Sequence, residues 1–450
     1  MVLFLFLAGF IPFGLAQERT ITGTVTTSDT KETLPGTSVV LKGTTTGTTT
    51  DIDGNFTLSV PSGTVILEFS YIGYVSQEID VSNMNVVNVE LQPTRISLEE
   101  VVVIGYGTIK KSDLTGSVSS IKAEDITKTT AANPVQSLQG RVTGVQITST
   151  SGQPGSNPAV RIRGIGTFNN SSPIYVVDGM ILDDISFLNS NDILSMEVLK
   201  DASATSIYGS RGANGVIMVT TKSGQTKEAK TVFNFTGEQG MQRLANKIDL
   251  LDGKEFAIIS NEIKPGSFNN VDAVPNTDWQ DLVFSPAPIS NYQLSASGAT
   301  KAMSYYVGVG YYNKKGIIEK SNYERITIRL NNVYNMTDYL QVGTNLSLAP
   351  TKWQFAPNVT YAAYRAQPLL EPYYSDGSFG VVYNVGNPLA SLANSNNYRK
   401  GIRGVGNVYA EATIANDFKL KSSFGLDGSY FKNTNFTPAF TVYNPDGTAS

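Results

Sequence analysis

From about residue 230 onward the chain repeats one pattern: runs of about ten residues in which apolar and polar side chains alternate. Residues 304–313 place Tyr305, Val307, Val309 and Tyr311 on one face and Ser304, Tyr306, Gly308, Gly310 and Tyr312 on the other. Residues 325–334 set Ile326, Ile328 and Leu330 against Arg325, Thr327, Arg329 and Asn331. Residues 339–348 set Leu340, Val342, Leu346 and Leu348 against Gln341, Asn345 and Ser347, and residues 418–430 set Phe418, Leu420, Phe424 and Leu426 against Lys419, Lys421 and Asp427. Successive side chains of a strand point to opposite faces, so each run is an amphipathic strand. A soluble sandwich shares this alternation. Strand length, the short turn at 335–338 and the tyrosines near strand ends favour a transmembrane antiparallel β-barrel, apolar outside and polar inside, because closure satisfies every backbone hydrogen bond within lipid. The polar inserts 249–289 and 351–400 then read as extracellular loops.

Composition narrows the chemistry. The 450 residues contain no Cys and no His, which removes thiol catalysis, histidine triads, imidazole acid–base chemistry and the usual zinc sites. No cofactor or metal is expected. A net charge of −4, with Lys and Arg scattered, gives no footprint for nucleic acid. Residues 1–16 (MVLFLFLAGFIPFGLA) form an apolar run of signal-peptide length with small residues before Gln17, which predicts export. The run is too short to span a membrane as a helix. It also lacks a basic n-region, so the true start is expected elsewhere. The polar Gln17-Glu18-Arg19 that follows at once argues against a buried N-terminal strand.

Residues 17–95 read as a small β-sandwich, with strands near 20–25, 37–41, 55–60, 65–71 and 86–91 separated by turns rich in Gly, Pro, Thr and Asp. Asp51, Asp53 and Asn55 have the wrong spacing for a calcium loop and no closing Glu, so a hairpin turn is expected there. Pro93 marks a linker over 91–97. Beyond it come Glu100, the β-branched run Val101, Val102, Val103 and Ile104, and then Gly105. An extended run of this kind either adds to the sheet edge of a partner or is an ordinary strand of its own domain, and the residues alone leave both open.

The middle of the chain adds short strands at 160–166 (VRIRGIG) and 174–180 (IYVVDGM). Within 192–224 the sequence reads as a strand at 195–199, an Ala/Ser-rich turn or short helix at 200–207, turns at Gly209, Gly212 and Gly215, and a second strand to Thr221. Three blocks occur in order: LEEVVVIGYGTIKKSDLTGSVSSI, NPVQSLQGRVTGVQI, and VRIRGIG through TTKSG. Together they resemble the plug domain of TonB-dependent outer-membrane transporters, specifically the SusC/RagA-like branch. The run TTTDIDGNFTLSVPSG, with LPGTSVVLKG before it and YIGY after it, resembles the carboxypeptidase-regulatory-like domain that precedes that plug.

The resemblance implies a mainly β architecture: an N-terminal β-sandwich, an α+β plug over 109–228, and the first part of a barrel over 229–450. It favours residues 96–108 as the TonB-interacting segment. It also implies TonB-driven import of an oligosaccharide or peptide across the outer membrane, shared with a SusD-like surface lipoprotein, and no bond-making chemistry. Arg163 and Arg211 are expected to anchor the plug to acidic residues of the barrel wall, although each is equally a turn cap beside Gly164 or Gly212. Trp279, Trp353, Tyr373 and Tyr374 either stack on sugar rings or serve as girdle or loop-core residues. Plugged barrels close with about 22 strands, whereas residues 230–450 show about seven. Roughly 470 further barrel residues are therefore expected, with the chain stopping inside a turn at Asn444-Pro445-Asp446-Gly447.

Other readings are a secreted all-β adhesin or glycan-binding protein and, less favoured, a signal-transducing receptor, since the N-terminal strands lack interleaved helices. An enzyme is least favoured: Asp183 and Asp184 are adjacent loop residues without an evident cleft.

Overall fold

The computed structural model describes residues 18–61, 63–92, 101–104, 107–110, 118–167, 170–224, 229–415 and 418–440. The signal-peptide stretch, Glu100, Gly105 and the closing turn lie outside the described residues. The chain divides into two units, Met1–Val101 and Val102–Ser450.

The first unit is a sandwich of two sheets. Strands β1 (Glu18–Thr27), β4 (Asn55–Pro61) and β7 (Val89–Leu91) form one, in the order β4-β1-β7. Strands β2 (Ser38–Leu41), β3 (Gly47–Thr49), β5 (Ile66–Ser70) and β6 (Gln77–Asp80) form the other, in the order β3-β2-β5-β6. Strand β4 shows the cause: Phe56, Leu58 and Val60 are buried while Asn55, Thr57 and Ser59 are exposed. Leu67 and Phe69 of β5 face them, and Phe56 meets Phe69 edge-on at 5.4 Å between ring centroids. At the expected hairpin turn the Asp51 carboxylate accepts the backbone N–H groups of Asp53 (3.0 Å) and Asn55 (2.8 Å). No metal-ligand cluster occurs among the described residues.

A two-stranded ribbon, β8 (Val101–Ile104) with β9 (Gly107–Lys110), begins at the last residue of the first unit and otherwise belongs to the second. The plug follows: β10 (Val118–Lys122), β11 (Val145–Thr148), β12 (Ala159–Ile162), β13 (Ile174–Val177), β14 (Met180–Leu182), β15 (Ile193–Leu199) and β16 (Val216–Thr221). Five of these make one sheet, β10-β15-β16-β13-β14, and β11 pairs with β12. Strand β16 is buried on both faces. Val216 and Met218 pack with Ile174, Val176 and Leu199, whereas Ile217 and Val219 join the larger core around Met196 and Val198. A short helix, Ala202–Thr205, and a 3-10 segment, Ser206–Asn214, connect β15 to β16.

Seven antiparallel strands in chain order form the partial barrel: β17 (Ala229–Gln242), β18 (Ala287–Ala299), β19 (Met303–Lys315), β20 (Asn322–Thr337), β21 (Leu340–Phe355), β22 (Asn396–Ala415) and β23 (Phe418–Phe436). They run from 13 to 20 residues, longer than the ten or so that the alternation marks. The outward face carries Phe235, Leu294, Val309 and Ile328 in one register row, all exposed. The opposite face carries Gln293, Gly310 and Thr327 in the adjacent row, with Arg325, Arg329 and Asn331 beside them, and these polar side chains are buried, whereas the edge strands β17 and β23 are largely exposed on both faces. Not every tyrosine marks a strand end facing outward, since Tyr306, Tyr312 and Tyr323 are buried on the polar face.

The two ends of the sheet differ. Hairpins between β18 and β19 and between β20 and β21 are a few residues long. At the other end, residues 243–286 and 356–395 are long inserts that hold helices Gly253–Ile263, Trp279–Val283, Thr360–Arg365 and Pro388–Asn394. A reciprocal capping box between Asp252 and Glu255 starts the first helix. The inserts are structured where the sequence implied polar loops: Trp279, Val283, Val359, Ala363, Val382 and Leu392 form a shared apolar core. The second insert is shorter than 351–400 because β21 runs on to Phe355 and β22 begins at Asn396.

Candidate functional site between the plug and the barrel wall

The polar face of the seven-stranded sheet closes on the plug. Alternation puts Arg329 on that face of β20, opposite Ser347 of β21. Its guanidinium donates to the Asp178 carboxylate at 2.5 Å, to the Thr221 hydroxyl at 2.5 Å and to the Ser347 hydroxyl at 2.6 Å. Asp178 sits between β13 and β14 with a positive φ of 48° and also accepts the Thr221 N–H and hydroxyl. The pair is nearly dry: Arg329 is 4% exposed and Asp178 15%. A buried charge without its partner is costly, so this contact fixes where the plug can sit.

Three further contacts flank it. Arg325 donates to the backbone carbonyls of Ala132, at 2.7 Å, and Ser186. Arg403 of β22 grips Asp427 of β23 with two donors, at 3.1 and 2.8 Å, and gives a third to plug residue Asp184 at 3.0 Å. Asp192, fully buried at the head of β15, accepts from Tyr306 at 2.8 Å and from Gln293. Burial pushes the Asp192 carboxyl above the usual carboxylate range, against the opposing pull of its hydrogen bonds and of Arg329. Gly308 allows this approach: a Cβ there would lie 2.7 Å from the Asp192 carboxylate oxygen.

The residues expected to anchor the plug do not do so in these contacts. Arg163 pairs with Asp201 at 2.5 Å and Arg211 with Asp183 at 3.0 Å, both within the plug. Arg163, directly after β12 with φ of 56°, and Arg211, inside the 3-10 segment Ser206–Asn214, each meet a carboxylate of their own domain. In the two ion pairs across the interface among the described residues the polarity is the reverse of that expectation: plug carboxylates Asp178 and Asp184 meet wall guanidiniums Arg329 and Arg403, while the wall carboxylate Glu238 accepts from the plug hydroxyl of Thr130. Arg325 and Arg329 stood on the polar face of a predicted strand, which was the available signal. Asp178 and Asp184 gave none, because they lie outside the strands, on either side of β14, where no alternation shows which way a side chain points.

The four aromatic residues separate. Trp279 is buried in the insert core and donates its indole N–H to the Gln367 carbonyl at 3.0 Å, which makes it a loop-core residue. Tyr373 stacks on Phe379 at 5.3 Å, and the Tyr374 hydroxyl accepts the Val381 N–H at 3.1 Å, so both hold the second insert together. Trp353 lies on β21 near the insert-bearing end, packed at 4.9 Å on Tyr323 and 6.0 Å on Phe431. These rings border a cavity of about 300 Å³ that Asp184, Arg403 and Asp427 also line. Of the residues 100–105, only Val101–Ile104 is described, as strand β8.

Residues 21–103 match the CarboxypepD_reg-like domain family and residues 110–216 the TonB-dependent Receptor Plug Domain family. TonB-dependent receptor P3 of Formosa agariphila is 41% identical over 97% of this chain and 45% of its own length. TonB-dependent receptor SusC of Bacteroides thetaiotaomicron is 39% identical over 76% of this chain and 35% of its own. Among solved structures, the RagAB peptide importer in its open-open state superposes with a TM-score of 0.65 at 28% identity, over 74% of this chain and 43% of that one. The chain thus spans less than half the length of these relatives. With the plug seated against an inside-polar wall, it belongs to the SusC/RagA-like TonB-dependent receptors.

Proposed function

We propose that the protein imports a nutrient, an oligosaccharide or a peptide, across the outer membrane as a TonB-dependent active transporter working with a SusD-like surface lipoprotein. The observation that carries this reading is the inverted polarity of the seven-stranded sheet. Its exposed face is apolar and its buried face holds a plug through Asp178 and Arg329. Lipid favours that arrangement and water does not. The insert-bearing end faces outward and receives solute and lipoprotein. Substrate loosens the plug, and TonB pairs in extended form with Val101–Ile104 and pulls. SusC and RagAB, named for a TonB-dependent receptor and a peptide importer, support the reading by similarity. An exported chain, with residues 1–16 removed, fits the same role.

The test replaces Val102 and Ile104 with proline in the complete gene. The expectation is normal outer-membrane abundance with uptake abolished, together with loss of binding to the periplasmic domain of TonB. Uptake that persists in these variants, or in cells lacking TonB, contradicts the proposal.

A further inference from the structure

We propose that three lysines in one register row on the outward face of the wall, Lys352 of β21, Lys400 of β22 and Lys432 of β23, bind the phosphate monoester of an anionic lipid headgroup at the insert-bearing edge of the bilayer. This goes beyond the import reading and rests on it in one respect, that the outward face meets lipid. Strand periodicity fixes the face: Ile402 and Tyr430, two residues from Lys400 and Lys432, are 43% and 67% exposed. Tyr292 and Tyr311 stand in the corresponding row of β18 and β19, so a belt of aromatic and apolar side chains ends one row short of the lysines. Beyond that belt the outward row begins without positive charge and then turns basic. Ser290, Asn313 and Glu324 hold it on β18, β19 and β20, and the three lysines hold it on β21, β22 and β23.

Neighbouring strands lie about 5 Å apart, so the row sets three positive charges within roughly 10 Å. Like charges directly opposite one another in a sheet repel. Glu324 faces Lys352 in the register, yet among the described residues no carboxylate forms an ion pair with any of the three lysines, and all three are exposed. Snorkelling accounts for a single lysine at a membrane boundary, its stem on the apolar belt and its ammonium among the headgroups. It gives no reason to set three in register. A phosphate monoester does, because it carries about two negative charges and three terminal oxygens, one for each ammonium. The surface is also concave there. Lys352 and Lys400 border, with Gln354, Asn396 and Tyr398, a hollow of about 230 Å³, to which the two amide side chains add neutral donors. Lys400 lies over the Tyr398 ring, its ammonium 5.5 Å from the centroid, which keeps that charge beside the hollow. A lipid held here lays its acyl chains along Ile402 and Tyr430 and its phosphate against the lysines.

Native mass spectrometry of the full-length receptor, titrated in micelles with phosphatidic acid, phosphatidylglycerol or phosphatidylcholine, tests the site. The expected result is saturable binding of phosphatidic acid, preferred roughly tenfold or more over either phosphodiester lipid and undisturbed by inorganic phosphate at the same concentration. Lys400→Gln should weaken that binding several-fold, and the triple variant Lys352→Gln, Lys400→Gln, Lys432→Gln should abolish the preference. Lys315→Gln removes one charge from the same outward side, on β19, and should change nothing. Equal binding of phosphatidic acid and a phosphodiester lipid, or a preference that survives the triple variant, overturns the inference. So does an equal loss in Lys315→Gln, which would leave snorkelling alone, and so does displacement by inorganic phosphate, which would make the ligand a free anion. Uptake does not enter these measurements: a receptor that transports without lipid selection overturns this inference alone, and lipid selection without TonB-dependent uptake overturns the import reading alone.

Discussion

The N-terminal sandwich and the seven-stranded wall use the same period-two alternation with opposite outcomes. In β4 the apolar residues Phe56, Leu58 and Val60 turn inward and the polar ones face out. In β20 the isoleucines at 326 and 328 face out, while Arg325, Thr327, Arg329 and Asn331 are buried. The alternation states only that a strand has two unlike faces. Which face is buried depends on the medium and on what the other face meets: a second apolar sheet in the sandwich, a hydrogen-bonding plug in the wall. The difference teaches that an exposed apolar strand face and a buried arginine are one observation, since the plug satisfies what the sheet turns inward.

Perturbations of matched positions should respond in opposite ways. The largest effect is expected from Arg329→Leu, which strands Asp178 in a dry interface and should cost about 3–5 kcal/mol of plug seating. Restoration by Asp178→Asn in the double variant, read as resistance of the plug to proteolysis, checks the pairing. In the sandwich, Leu67→Ala should cost about 2–5 kcal/mol of that unit alone, read as a shifted melting transition with the wall unaffected. On the lipid side, Ile328→Lys should cost about 2–4 kcal/mol when the barrel folds into bilayers. By contrast, Ile72→Lys on the sandwich surface, where Ile72 is 97% exposed, should stay within about 0.5 kcal/mol.

A smaller, pH-dependent effect sits at Asp192. Its carboxyl is pushed up by burial, so the folded state holds the proton more tightly than the unfolded chain. The stability this contributes is present at pH below the usual aspartate range and is lost as pH rises through the raised folded value. Asp192→Asn keeps an acceptor for Tyr306 and removes the charge. It should flatten that acid-side dependence of plug stability, measured by denaturant midpoints across pH; an unchanged profile counts against the assignment.

Much of this was legible in the sequence, for physical reasons that also mark its limits. Long amphipathic strands announce themselves, so a count of about seven wall strands, the runs that became β19, β20, β21 and β23, and the polar face bearing Arg325 and Arg329 could be read directly, whereas β17, β18 and β22 were not bounded. Strands β3 and β6 could not, because Gly47–Thr49 and Gln77–Asp80 carry few apolar side chains. Trp279 looked like a loop aromatic because the core that buries it is assembled from two inserts about a hundred residues apart in the chain. The partners of Arg163 and Arg211 depended on turn geometry rather than composition, and Asp184 gained its meaning only when Arg403, more than two hundred residues later, was brought beside it.

The inverted wall is tested most directly by site-directed spin labels placed singly on cysteines along 324–331 of β20 in the full-length receptor in bilayers, a scan to which these 450 residues contribute no native cysteine. Accessibility to lipid-dissolved oxygen should peak at 326, 328 and 330 and fall at 325, 327, 329 and 331, with a period of two. Peaks for a water-soluble relaxant at 326 and 328, or no alternation between the two faces, would contradict the account and place this sheet in water.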